Sequence, residues 1–95
     1  MNKGYTIQIG NSDDKLSQKQ WAEYVSQVGT VIKAYAREIH FFGCSGAEQP
    51  WQNAAWFFEV KSLEGRDMLM DLLSEIRESF HQNSIAWTEG KTVFI

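Results

Sequence analysis

The order in which hydrophobic periodicities follow one another constrains this 95-residue chain more than any single motif does. Tyr5, Ile7 and Ile9 alternate with Thr6 and Gln8, the period of a half-buried strand. Trp21, Val25, Val28, Ile32 and Tyr35 then recur at helical spacing. Period two returns over Arg37–Cys44, where Ile39 and Phe41 take one face and Glu38, His40 and Phe42 the other. It returns again over Ala54–Val60, where Trp56, Phe58 and Val60 oppose Ala55, Phe57 and Glu59. Leu69, Leu72, Leu73, Ile76 and Phe80 form a second helical stripe, and Ile85 with Trp87 a fourth strand. The succession is β-α-β-β-α-β.

Local signals fix several boundaries. Ser17 with Gln20 three residues later is a capping box, and Leu16 with Trp21 is the hydrophobic staple that goes with it. These predict a helix over Gln18–Ala34, with Gly29 inside it as a helix-weakening residue that marks a close contact or a tolerated defect. The second helix is expected from Leu63 or Glu64 to Phe80. Gly10–Lys15 and Gly43–Asn53 carry turn-forming residues, including the one proline, Pro50. Glu89-Gly90-Lys91 reads as a turn or bulge, after which Thr92–Ile95 offers a short fifth strand.

This pattern resembles the ferredoxin-like arrangement, a split βαβ unit repeated, along the whole chain but in its elements only. It implies an α+β fold: one domain over residues 1–95, an antiparallel sheet in the order 4-1-3-2, and both helices on one face. Such a fold hosts many functions and by itself implies none.

Composition narrows the classes. A net charge of −3, a pI of about 5.3 and scattered lysines argue against a protein that tracks nucleic-acid phosphates. Cys44 is the only cysteine, which excludes an intramolecular disulfide and suits a reducing compartment. No apolar run reaches the roughly 20 residues of a membrane-spanning helix, so a cytoplasmic protein with no membrane partner is expected. No glycine-rich phosphate loop, nucleophile–base spacing or metal-ligand motif is present, so neither a cofactor, a metal nor enzymatic activity is expected.

The topology nominates two places for function. Three connections, Gly10–Ser17, Gly43–Asn53 and His81–Ser84, arrive at the same end of the sheet. That end gathers Asn11, Ser12, Asp13, Asp14, Trp51, Gln52, Asn53, His81 and Asn83, where amides would orient a ligand and Trp51 would stack on it or cap the core. Asp13 and Asp14 otherwise read as turn and helix-dipole chemistry. The second place is the sheet face away from the helices, expected to show His40 and Phe42 beside Phe57. Aromatics there would be covered by a second copy of the chain; a base-stacking platform is disfavoured by Glu38 and Glu59 on the same face. The reading is a small non-enzymatic binding protein for a polar, nucleotide-like small molecule, at the three-loop end or the dimer interface. The alternative is an interaction module that inhibits a partner enzyme through the acidic side of the second helix, Asp67, Asp71, Glu75 and Glu78.

Overall fold

The computed structural model describes residues 3–11, 15–46, 52–91, 93 and 95. Four strands and two helices follow in the expected order: β1 (Lys3–Gly10), α1 (Gln18–Tyr35), β2 (Ala36–Cys44), β3 (Asn53–Val60), α2 (Leu63–Ser79) and β4 (Ala86–Lys91). The strands form one antiparallel sheet in the order β2-β3-β1-β4, the predicted arrangement seen from the other side.

Both helices begin where side chains replace missing backbone partners. Gln20 N–H donates to Ser17 Oγ at 3.2 Å, and Ser17 N–H donates to Gln20 Oε1 at 2.9 Å. Leu16 and Trp21 are both buried beside this cap, so the staple is in place. At α2, Gly65 N–H donates to Ser62 Oγ at 3.0 Å. The exit of α2 is closed by two bonds, His81 N–H to Glu78 O and Gln82 N–H to Arg77 O, each 3.0 Å. His81 takes the left-handed conformation this motif requires, with φ of 56°.

The core lies between the helices and one face of the sheet. Trp21, Tyr24, Val28 and Ile32 of α1 and Leu69 and Leu73 of α2 are buried with Tyr5, Ile7, Ile9, Trp56 and Phe58. Tyr5 joins the strands through its ring, 6.0 Å from Phe58 and 5.5 Å from Trp87. Among the described residues no helix is long and apolar enough to cross a membrane.

Two expectations are corrected here. Glu89-Gly90-Lys91 is neither turn nor bulge: all three residues pair with β1, opposite Tyr5, Gly4 and Lys3. Val93 and Ile95 are exposed and outside any strand, while Thr92 and Phe94 of the suggested fifth strand lie outside the described residues.

The larger correction concerns β2. Its pairing with β3 slips twice, so that Arg37 and Glu38 together oppose Glu59, and His40 and Phe41 together oppose Phe57. Each slip is a β-bulge, which sends two successive side chains to the same face. Inward positions therefore fall on Ala36, Ile39 and Phe42, every third residue instead of every second. Phe42, expected on the open face, stacks on Trp56 on the helix side, and Phe41, expected in the core, is 58% exposed on the open side.

Candidate functional site

The three-loop end is tied together by amides. Asn11 Nδ2 donates to Leu16 O at 3.0 Å and to Gln52 Oε1 at 3.2 Å, while Leu16 N–H donates to Asn11 Oδ1 at 3.0 Å. Asn11 N–H also donates to Gln52 O at 2.8 Å. Gln52 and Gln18 exchange side-chain bonds of 2.9 and 3.1 Å. Asn11 is 2% exposed and Gln52 is buried as well. Two of the amides expected to face a ligand are thus engaged in joining the β1–α1 and β2–β3 connections, as buried polar groups must be. Asn53, at the start of β3, exchanges bonds with Ser45, its side chain exposed. His81 is held by its backbone at the end of α2, and Asn83 is exposed in the bend that follows. Ser12, Asp13, Asp14 and Trp51 lie outside the described residues.

A groove of about 390 Å³ opens instead along the edge of the molecule, between α1 and β2. Its floor is the Phe42–Trp56 pair, ring centroids 5.0 Å apart and tilted by 31°. Gly29 packs α1 against the indole: a Cβ there would stand 3.6 Å from two ring atoms of the buried Trp56. Val25 and Ile39 are the apolar walls, and Ser26, Thr30 and Lys33 form the rim. Lys33 sits in the last turn of α1 with no acidic partner among the described residues. Phe42 is 49% exposed, so part of the aromatic floor is open to a ligand.

The open face of the sheet carries a charged cluster that the bulges assemble. Glu59, its side chain only 10% exposed, bonds to Arg37 through Oε1 and accepts from His40 Nε2 through Oε2 at 2.7 Å. The imidazole leans on Phe57, with centroids 5.3 Å apart. The Glu59 carboxyl is held below its ordinary range by the bond from His40, with partial burial opposing and the bond and charge of Arg37 assisting. Glu38 stands directly across from Glu59. One donor atom each from Glu38, His40 and Glu59 lies within 4.8 Å of the others, a grouping of metal-ligand types that no spacing in the sequence announced.

His40 and Phe42, expected side by side, therefore serve different surfaces. Sequence reasoning missed Trp56, Lys33, Arg37, Glu38 and Glu59 as site residues. The one legible signal was Gly29, whose reading as a mark of close contact points to the groove.

No family model and no curated relative matches the chain. Solved structures do. A hydroxynitrile lyase from Passiflora edulis matches at 15% identity and a TM-score of 0.60, over 99% of this chain and 98% of that one. The ACT domain from the GTP pyrophosphokinase of Chlorobium tepidum matches at 14% identity and 0.54, over 94% and 99%. A de novo designed protein, Foldit4, matches at 8% identity and 0.68, over 98% and 100%. A lyase, a domain of a pyrophosphokinase and a designed chain share the architecture, so what the likeness establishes for this chain is its α+β, ferredoxin-like fold alone.

Proposed function

We propose that this protein holds a flat, ring-bearing small molecule in the α1–β2 groove, sensing or sequestering it without transforming it. The observation that carries the reading is the half-exposed Phe42 ring, backed by the buried Trp56, on the floor of the groove. A groove of about 390 Å³ falls within the roughly 300–1,000 Å³ of small-molecule sites, and its lining is mostly apolar with few polar groups, as such sites are. Lys33 at the rim supplies a positive charge for a carboxylate or phosphate. A nucleotide-like compound combines the ring and the anion that this arrangement favours.

A thermal-shift screen of the full chain against nucleotides and aromatic carboxylates, followed by calorimetry, tests this. Hits are expected to quench tryptophan fluorescence. Stacking on an aromatic is worth about 1–3 kcal/mol, so Phe42→Ala is expected to weaken binding by about tenfold or more. Lys33→Gln should weaken only the anionic compounds. The reading fails if no compound raises the melting temperature, or if Phe42→Ala binds as the wild type does.

We also propose that a second copy of the chain covers the open sheet face. That face divides into two halves of different bulk. The β2–β3 half presents Arg37, His40, Phe41 and Phe57, while the β1–β4 half presents Gly4, Thr6, Ala86, Thr88 and Gly90, with Gln8 its one long side chain among the described residues. A two-fold axis between the halves would set the large side chains of each copy over the small ones of the other, the self-complementarity that an isologous interface needs.

A further inference from the structure

We infer that Glu38, His40 and Glu59 form a binding site for a divalent transition metal ion such as Zn²⁺ on the open face of the sheet. The inference depends on neither the groove nor the second copy.

The donor set comes first. One imidazole nitrogen and two carboxylates suit borderline first-row ions, where an all-oxygen set would suit Mg²⁺ or Ca²⁺. The geometry comes next. Tetrahedral Zn²⁺ bonded at about 2.1 Å separates its ligand atoms by about 3.4 Å. Donor atoms within 4.8 Å of one another, with His40 Nε2 2.7 Å from Glu59, bracket that spacing. All three residues sit on paired strands, which hold a site more firmly than loops do. His40 turns Nε2 toward the cluster at 2.7 Å from Glu59. Moving the proton to Nδ1, or releasing it to solvent, leaves the Nε2 lone pair facing the ion.

Electrostatics supply the independent argument. Like charges directly opposite each other across a strand pair are destabilising, and Glu38 faces Glu59. Arg37 answers only one of the two carboxylates, and Glu38 has no ion-pair partner among the described residues. With a neutral imidazole the cluster keeps one net negative charge, which a divalent ion would offset. Arg37 is the competitor for Glu59, but its side chain is 54% exposed and free to swing into solvent.

The test uses the full chain with Zn²⁺ in calorimetry and Co²⁺ in visible absorption, whose band intensity reports tetrahedral ligation. One ion per chain is expected, with a dissociation constant on the order of micromolar. His40→Ala should weaken binding by about a hundredfold and Glu38→Gln by about tenfold. Arg37→Gln should strengthen it severalfold, because the guanidinium no longer competes. Circular dichroism of each metal-free variant separates loss of a ligand from loss of fold. The proposal is overturned if no saturable binding occurs, if binding survives His40→Ala or is lost instead with His81→Ala, or if Arg37→Gln weakens it.

Discussion

Glu59 is a carboxylate in the middle of a sheet, and its position is tolerable because Arg37 and His40 both reach it. The bond from His40 is the largest influence that lowers its proton affinity, so the folded-state value lies below the ordinary 4.5. A carboxyl with a depressed folded value binds protons more readily when unfolded. Its stabilising contribution is therefore complete above the unfolded value and is lost as pH falls through the folded one. Thermal unfolding followed from about pH 7 to about pH 3 should show the wild type losing melting temperature below about pH 4.5 more steeply than Glu59→Gln. Equal slopes in the two proteins would mean that this network does not set the acid response. Tyr24 is the converse case. Its hydroxyl is buried with no hydrogen-bond partner among the described residues, and burial pushes its ionisation up to about 12, against the lowering charge of Arg77. It serves as core, with its ring 4.9 Å from Phe80.

At the scale of elements, α1 and β2 explain what can be read in a sequence and what cannot. The start of α1 was legible because Ser17, Gln20, Leu16 and Trp21 signal it within a few residues. Its buried face is less legible: Tyr24 is fully buried, whereas Val25 of the helical stripe borders the groove. Strict alternation failed in β2 because a bulge is a relation between two strands, and nothing in Glu38-Ile39-His40-Phe41-Phe42 announces that β3 will slip past it twice. The misplacement of Phe42 hid the groove, and the missing register hid the meeting of Glu38, His40 and Glu59. Gly90 reads as a break in the sequence, yet it pairs with Gly4 inside β4. Gly29 yields a prediction at this scale. A methyl group there would meet Trp56 at 3.6 Å, an ordinary contact, while alanine restores up to about 1 kcal/mol of helix propensity. Gly29→Ala should therefore raise the melting temperature by several degrees. A fall in melting temperature in differential scanning calorimetry would show that the helix sits closer to the sheet than the structure gives.

The molecule is a slab, 40 × 30 × 18 Å, with both helices of the described residues on one side of the sheet. Phe41 lies across Gly43 on the bare side, its ring so close that a Cβ at Gly43 would fall 2.7 Å from it, yet the ring remains largely exposed. A stable interface needs about 800 Å² from each partner, and a four-stranded face is of that order only if most of it takes part. This makes the dimer proposal sensitive to both halves of the face. Phe41→Asp places a charge on the bulky half, and Thr6→Arg fills the small half opposite Thr88. If the halves interlock about a two-fold axis, sedimentation equilibrium should find the wild type dimeric and each variant monomeric. A wild type that sediments as a monomer at high concentration sinks the idea, and a dimer that survives Thr6→Arg sinks the interlocking geometry. The α1–β2 groove opens on the helix side of the sheet, away from these substitutions. The monomeric variants should accordingly keep the ligand affinity of the wild type, since the groove is built within one chain. Loss of binding in a folded Phe41→Asp monomer would instead mean that the second copy completes the site.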